Sequence, residues 1–266
     1  MHFPGVALVT GAGSGIGRAT AFLYAKEGCT RIAVADINKS NADETRKEIE
    51  TKYSNVDVLS IQVDITSEQS VNDMVSLVVR KFNRIDYACN AAGVLIPGPT
   101  DEVSVSAWKK QIDVNLHGTW LCHRAEIIQM LKQDAIKADD GYFPSRGSIA
   151  NVASMCALMV YDHLPAYCAS KHAILGFTRA DGMRYAKQGI RVNAICPGVT
   201  ATPMVGDVPE TASSGSLDAQ AMMNEMATGR FGLPEEVAEA IVWVTSGRAS
   251  LIVAGHLTPN GGMIGA

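Results

Sequence analysis

Short runs of β-branched and other apolar residues alternate along the chain with longer stretches in which apolar positions recur every three or four residues. The short runs predict seven strands, at Val6–Thr10, Arg31–Asp36, Val56–Val63, Tyr87–Asn90, Ser148–Val152, Arg191–Ile195 and Leu251–Ala254. The longer stretches predict helices, at Ile16–Glu27, Asn38–Tyr53, Ser67–Phe82, Ser106–Lys132, Pro165–Ala186 and Glu235–Thr245. Because this alternation needs a helical crossover between parallel strands, it predicts an α/β fold, a single doubly wound parallel sheet of about seven strands with helices on both faces.

Composition narrows the class of protein. Hydrophobic residues make up 47% of the 266 residues and charged residues 19%, which excludes intrinsic disorder. The net charge of -4 and the lack of a basic cluster argue against a nucleic-acid partner, and no apolar run is long enough for a membrane span. The first apolar run begins at Val6, which leaves no room for a signal peptide ahead of it. We therefore expect one cytoplasmic domain over residues 1–266.

The six cysteines are widely spread along the chain and form no C-x-x-C pair, and the histidines show no ligand spacing. Such usage predicts reduced thiols rather than a disulfide framework or a zinc site. We therefore expect no metal.

A glycine-rich segment follows the first predicted strand and leads into the first predicted helix. It reads Thr10-Gly11-Ala12-Gly13-Ser14-Gly15-Ile16-Gly17, a G-x-x-x-G-x-G spacing. Glycines let the backbone turn tightly and approach a pyrophosphate, whose charge is met by the amides at the helix N-terminus. The pattern predicts a dinucleotide-binding Rossmann fold, and a glycine-rich turn without a ligand is the alternative.

Asp36 ends the second predicted strand, at the position where an acidic residue accepts hydrogen bonds from the adenosine ribose. Its carboxylate would repel a 2'-phosphate, and neither Ser14 nor Ile37 is a compensating base. These residues favour NAD over NADP. The alternative interpretation of Asp36 is a strand-end turn or helix cap, and Lys39 keeps NADP open.

The candidate catalytic residues lie after the fifth predicted strand and on the helices around it. Tyr167 and Lys171 are four residues apart on one helical face, where an ammonium favours the phenolate of a tyrosine that takes a proton from an alcohol. Ser154 follows the fifth strand and is placed to hydrogen-bond a substrate oxygen. Asn115 lies inside a predicted long helix, where its amide would hold a water beside Lys171.

Together these residues resemble the short-chain dehydrogenase/reductase family over essentially the whole chain. The resemblance is carried by T-G-x-x-x-G-I-G at Thr10 to Gly17, Asp64, Asn90-Ala91-Ala92-Gly93, Asn115, Ser154, Tyr167 with Lys171, and Pro197-Gly198 with Thr202. It implies that Tyr167 is the general acid/base, Ser154 the donor to the substrate oxygen, and Asn115 the anchor of a proton relay. Lys171 would also bind the nicotinamide ribose.

The resemblance further implies the cofactor contacts. Besides Tyr167 and Lys171, these are Gly11, Ser14, Gly15, Ile16, Gly17, Asp36, Ile37, Asp64, Ile65, Asn90, Ala91, Gly93, Pro197, Gly198, Val199 and Thr202. Asp64 and the backbone of Ile65 would contact the adenine, Asn90 and Gly93 would shape the cofactor floor, and Pro197, Val199 and Thr202 would hold the nicotinamide. For Asn90, stabilisation of the central sheet is an equally good interpretation. Because family members commonly form dimers and tetramers, a homodimer or homotetramer is expected.

The segment at about 199–230 is predicted to form a substrate-binding loop and helix. Methionines adapt to irregular apolar shapes, and they cluster here and after the fifth strand, at Met155, Met159, Met204, Met222, Met223 and Met226. The expected function is hydride transfer between NAD(H) and a bulky apolar secondary alcohol or ketone, such as a terpenoid, steroid-like or polyketide alcohol. The alternatives are an NADP-dependent carbonyl reductase and a non-catalytic dinucleotide-binding regulator. The alternative for the methionines is that they fill gaps in the core or in subunit contacts.

Overall fold

Seven parallel strands form a single sheet in the computed structural model, which describes residues 1–206 and 223–263. The strands are β1 (Ala7–Thr10), β2 (Arg31–Asp36), β3 (Asp57–Gln62), β4 (Tyr87–Asn90), β5 (Gly147–Val152), β6 (Ile190–Ile195) and β7 (His256–Leu257). Their order across the sheet is β3-β2-β1-β4-β5-β6-β7. The order reverses between β1 and β4, which is where a doubly wound sheet opens a ligand crevice at its carboxyl edge.

Helices cover both faces of this sheet, as the sequence predicted. They are α1 (Gly15–Lys26), α2 (Lys39–Lys52), α3 (Glu68–Phe82), α4 (Val105–Ile112), α5 (Thr119–Met130), α6 (Pro165–Tyr185) and α7 (Pro234–Thr245). Val9 and Val34 pack into one core with α1 and α7, whereas their neighbours Leu8 and Ala33 pack into a second core with α3 and α5. Successive strand residues point to opposite faces, so the near-continuous apolar strands serve both cores. The predicted fold class is confirmed.

The last strand is not where the sequence predicted it. The apolar run Leu251–Ala254 is a connection in which Leu251 is 92% exposed, and β7 instead comprises His256 and Leu257, paired with β6. Ala254 adopts a φ of +57°, in the left-handed region that breaks an extended strand. The run therefore fails as a strand because its backbone turns at its end.

The predicted continuous helix Ser106–Lys132 is also wrong in detail. A π-helical segment, Asp113–Gly118, lies between α4 and α5 and contains Asn115, and α5 ends at Met130. Helical segments of this type wind wider than an α-helix and commonly occur at functional sites. Here the segment places the Asn115 side chain in the fully buried interior.

The six cysteines are buried free thiols. Over residues 1–206 and 223–263, no group of three or more His, Cys, Asp and Glu side chains is arranged to hold a metal ion. Within the same ranges, no helix combines the length and apolar character that crossing a bilayer requires.

Candidate active site

A cleft opens at the carboxyl edge of the sheet, beside the glycine-rich segment. Gly11 has a φ of +68°, and a Cβ at this position would lie 2.7 Å from the backbone of Ala92. A Cβ on Gly17 would lie 2.2 Å from the Gly11 carbonyl oxygen, so α1 can approach the β1 turn only with glycine at this position. The backbone is thus drawn into a tight cradle at the start of α1. Such a cradle fits the pyrophosphate of a dinucleotide.

The N-terminus of α1 is available to an anion. Ser14 is the N-cap residue, and its side chain makes no capping hydrogen bond to the first turn of the helix. The first amides of a helix have no intrahelical partner, and together with the helix dipole they attract negative charge. The residues present therefore fit a bound dinucleotide phosphate.

The wall of this cleft contains most of the predicted cofactor contacts. Those that line it are Gly11, Ser14, Gly15, Ile16, Gly17, Asp36, Ile37, Asp64, Ile65, Ala91, Gly93 and Thr202. The sequence analysis did not single out Lys110 and Val114, which line the same cleft from α4 and the π-helical segment. Neither residue belongs to a recognisable sequence motif, so only the fold shows that they line the cleft.

Asp36 has two hydrogen bonds to the backbone. One carboxylate oxygen accepts from the amide of Gly13 at 2.8 Å, and the other accepts from the amide of Asn38 at 2.9 Å. Asp36 therefore orders the glycine-rich segment and the start of α2 while it also lines the cleft. The two interpretations considered for Asp36, a ribose ligand and a local turn residue, are geometrically compatible.

Asn90 is the predicted cofactor residue whose side chain turns away from the cleft. It is 2% exposed, and its Nδ2 donates to Glu126 Oε2 at 2.9 Å and to Asn151 Oδ1 at 3.0 Å. These contacts lie between β4, β5 and α5. These contacts fit the interpretation that Asn90 stabilises the centre of the sheet, and its contribution to the cofactor floor stays a prediction.

A second, smaller cavity joins the cleft and contains the catalytic candidates. Ser154, Tyr167 and Lys171 line it together with Pro197, Gly198 and Val199, whereas Ile16, Ala91, Gly93 and Thr202 line both spaces. Three distant segments meet here because β5, β6 and α6 place their ends at the same edge of the sheet. The predicted phenol, hydroxyl and ammonium are thus brought together.

Tyr167 is surrounded by apolar and thiol groups, and burial raises the pKa of its phenol well above the ordinary value. The hydrogen bond with Ser154 lowers this pKa and only partly opposes the effect of burial. The Ser154 Oγ also accepts a hydrogen bond from the Cys156 amide at 3.1 Å. Desolvation therefore dominates the pKa of this phenol, and the expectation that Lys171 favours the phenolate stays a prediction.

Lys171 is 5% exposed, and its Nζ donates to the carbonyl oxygen of Val152 at 2.9 Å. Burial lowers the pKa of this ammonium to about 8. A lysine in this state is close to losing its charge near neutral pH, so an added anion or phenolate would change its protonation readily.

Asn115 uses its amide on the backbone rather than on Lys171. Its Oδ1 accepts from the Val94 amide and its Nδ2 donates to the Val94 carbonyl oxygen, both at 2.8 Å. Nδ2 also lies 3.4 Å from Ser170 Oγ. A Cβ at Gly93 would lie 3.2 Å from the Asn115 oxygen and 3.8 Å from Lys171 Nζ, so both side chains border the space beside this glycine. Asn115 therefore fixes the loop after β4, and the expected water beside Lys171 stays a prediction.

The substrate side of the smaller cavity is predominantly apolar. Met155 and Met204 line it as predicted, and Leu95 lines it as well. Met223 and Met226 pack in a separate buried cluster with Phe231, and Met222 lies outside the described residues. The sequence analysis did not place Tyr161, His163, Leu164 or Met263 here. Met263 comes from the distant C-terminal segment, for which the local sequence gives no signal.

Comparison with known proteins indicates the same family as the residues of the site. A sequence model described as short chain dehydrogenase matches residues 5–213. The short-chain dehydrogenase anuF of Penicillium roqueforti is 36% identical over 98% of this chain and 96% of its own length. The cyclohexanol dehydrogenase of an Acinetobacter species is 32% identical over 96% of this chain and 93% of its own length.

A solved structure, that of levodione reductase, superposes with a TM-score of 0.87 at 28% identity and covers 98% of both chains. The match in fold therefore extends over the full sheet and its helices. Together with the glycine-rich cradle and the grouping of Ser154, Tyr167 and Lys171, these similarities establish that the chain belongs to the short-chain dehydrogenase/reductase family, oxidoreductases that bind a nicotinamide dinucleotide.

Proposed function

We propose that this protein transfers hydride between NAD(H) and a bulky, apolar, cyclic secondary alcohol or the corresponding ketone. The observation that carries the proposal is the position of Ser154, Tyr167 and Lys171, where the apolar cavity joins the cofactor cleft. A substrate held there has its oxygen beside polar groups and the rest of its surface against apolar walls.

The proposed roles follow from the chemistry of the three side chains. Ser154 donates a hydrogen bond to the substrate oxygen, and Tyr167 takes the alcohol proton during oxidation or returns it during reduction. Lys171 favours the phenolate of Tyr167 while it carries its charge. The nicotinamide, when bound, supplies or accepts the hydride. Because burial raises the pKa of Tyr167, its phenol ionises only if nearby positive charge, such as that of the Lys171 ammonium, stabilises the phenolate.

The choice of NAD rests on the surroundings of Asp36. Lys39 donates to Asp43 and Ser60, and Arg18 pairs with Glu48, so these two cations near the cleft are engaged elsewhere. Ile37 offers no charge. A carboxylate without a neighbouring free cation disfavours a 2'-phosphate. Because Lys110 also lines the cleft, the affinities for NADH and NADPH provide the direct test.

The substrate class is supported by the walls of the cavity. Leu95, Leu164, Met155, Met204 and Met263 supply adaptable apolar surface. One relative is named for cyclohexanol, a cyclic secondary alcohol, and we extend this ring chemistry to larger terpenoid, steroid-like or polyketide alcohols. The contribution of residues 207–222, predicted as part of the substrate loop, lies outside the described residues.

We also propose that the protein is a cytoplasmic homodimer or homotetramer. Apolar side chains stand on the surfaces of the central helices, among them Trp108 on α4, Trp120 on α5 and Met183 on α6, which is 77% exposed. Exposed apolar side chains of this size favour association between subunits where they form a contiguous patch. Light scattering of the purified protein at several concentrations gives the mass directly, and a monomer at every concentration contradicts the proposal.

The activity test is NADH formation with a panel of cyclic and acyclic secondary alcohols, with NADP tested in parallel. We expect the enzyme to turn over with NAD and to prefer bulky ring alcohols as substrates. A regulator that only binds the dinucleotide would show a higher melting temperature with NAD and no turnover. A carbonyl reductase of the alternative kind would prefer NADPH with ketones, which would overturn the assignment of Asp36.

A further inference from the structure

A chain of buried polar side chains runs from the centre of the sheet to the surface, beneath the cofactor cleft. Glu126 on α5 is 0% exposed, and its Oε2 accepts from Asn90 Nδ2 at 2.9 Å. Asn90 Nδ2 also donates to Asn151 Oδ1 at 3.0 Å, and Asn151 Nδ2 lies 3.4 Å from His123 Nδ1. The His123 Nε2 then lies 3.0 Å from the half-buried Asp181 carboxylate.

Two oxygens at the inner end of this chain have no hydrogen-bond partner within the described part of the protein. They are Glu126 Oε1 and Asn90 Oδ1, and both are buried. In the orientation that the Asn90 amide adopts, Nδ2 donates to two oxygens and Oδ1 has no donor. The pair thus contains two acceptors that lack a donor. One proton on the Glu126 carboxyl supplies a donor.

The groups that face Glu126 do not supply a compensating charge. β4 contributes the Cys89 thiol and Asn90, β5 contributes Asn151, and α5 itself contributes Cys122. The titratable pair His123 and Asp181 lies farther along this series of hydrogen-bonded side chains, beyond Asn151. Within residues 1–206 and 223–263, no ion pair includes Glu126. An ionised buried carboxylate without a cation is strongly disfavoured. Consistent with this, burial raises the pKa of Glu126 to about 7, opposed by the Asn90 hydrogen bond.

Asn90 connects this carboxyl to the cofactor cleft. It is the last residue of β4, and it is followed directly by Ala91 and Gly93, which line the cleft. Asn90 is also paired with Thr10 of β1, the residue that precedes the glycine-rich cradle. A shift of the Asn90 side chain is therefore transmitted to the two backbone segments that form the floor of the cleft.

We propose that Glu126 is a positioning residue that acts as a neutral carboxylic acid, holding Asn90 and the cleft floor in place while it is protonated and loosening cofactor binding when it ionises. When Glu126 ionises, no neighbouring cation balances the negative charge of its carboxylate. Rearrangement of Asn90 or entry of water is the expected response. The nicotinamide dinucleotide then binds better to the protonated form, so that binding and protonation favour each other.

The decisive comparison is between wild type and Glu126→Gln. Glutamine keeps the size of the side chain, an oxygen for Asn90 and a donor in place of the acid proton, but it does not titrate. The dissociation constants of NADH and NADPH are measured by calorimetry between pH 6 and 9, so that cofactor preference does not decide the outcome. Lys171 titrates in both proteins, and the difference between the two curves isolates Glu126.

We expect the wild type to lose about tenfold more affinity than Glu126→Gln from pH 6 to pH 9, a tenfold change being about 1.4 kcal/mol. Infrared spectra should show the carbonyl stretch of a protonated carboxyl in the wild type at pH 6, lost at pH 9 and missing from Glu126→Gln. Parallel affinity curves overturn the proposal, as does a wild type without this band at pH 6. If Glu126→Gln fails to fold, the test uses the wild-type infrared band and the variant Asn90→Ser, whose shorter side chain weakens the link to Glu126. A pH-independent loss of cofactor affinity in Asn90→Ser supports the link. Unchanged cofactor affinity in Asn90→Ser overturns it.

Discussion

The ammonium nitrogen of Lys171 lies 5.4 Å from the centroid of the Tyr167 ring. Burial of the pair raises the pKa of the phenol and lowers that of the ammonium to about 8, so at neutral pH the phenol is neutral and the ammonium keeps most of its charge. A positively charged ligand at this point favours the phenolate. The pair is therefore set to respond to occupancy of the cleft.

Removal of the Tyr167 hydroxyl tests its role as acid and base. We expect Tyr167→Phe to bind NADH within about twofold of wild type while turnover falls by roughly 10²–10⁴, the range that general acid-base catalysis contributes. The two measurements are calorimetric binding and steady-state rates with a cyclic alcohol. Tyr185→Phe, the same change at the last residue of α6, outside both cavities, serves as the matched control. Near-normal turnover in Tyr167→Phe would contradict the assignment.

Replacement of Lys171 by Met should lower both the turnover rate and the affinity for the cofactor. Because burial lowers the Lys171 pKa to about 8, the wild-type ammonium is charged below this pH and neutral above it. The difference in NADH affinity between wild type and Lys171→Met should therefore be largest at pH 6.5 and narrow above pH 8. Calorimetry at four pH values measures the trend. A difference that grows with pH would show that the charge of Lys171 does not act on the cofactor.

The carboxylate of Asp36 should determine cofactor choice. Asp36→Asn removes the charge while it keeps an oxygen that can accept from the Gly13 amide. We expect the preference for NADH over NADPH to fall by about tenfold or more, equivalent to at least about 1.4 kcal/mol. Asp64→Asn, on the same cleft, is the control for a general loss of negative charge. Unchanged selectivity in Asp36→Asn would remove the ribose assignment.

Glu126 should make stability depend on pH. Its pKa is raised to about 7 from an ordinary value of 4.5, so the folded protein binds this proton more tightly than the unfolded chain does. The stabilisation is complete below about pH 4.5 and is lost as the pH rises through 7, a change on the order of 3 kcal/mol. Urea unfolding of wild type and Glu126→Gln at pH 5 and pH 8 measures it. We expect a smaller decrease in the variant, and equal decreases would show that Glu126 does not titrate in this range.

Local sequence patterns predicted the sheet, most of its strands and the glycine-rich cradle, because each depends on short-range periodicity and on residues with restricted backbone geometry. Two local predictions failed at specific points. Leu251–Ala254 has the apolar content of a strand, but Ala254 turns into the left-handed region. The predicted long helix is interrupted at Asn115, whose bonds to Val94 join segments that are distant along the chain.

The sequence by itself determined the fold class and the identities of the phenol, hydroxyl and ammonium, since motif and periodicity are properties of neighbouring residues. Only the tertiary structure decided which groups share a cavity, because Met263 and Tyr161 come together through the folding of remote segments. It also decided in which direction the pKa values of Tyr167, Lys171 and Glu126 shift, because a pKa depends on the solvent and charges that the fold removes or provides. Asn90 shows both effects: its motif indicated the cofactor floor, and its buried contacts with Glu126 and Asn151 placed its side chain beneath that floor.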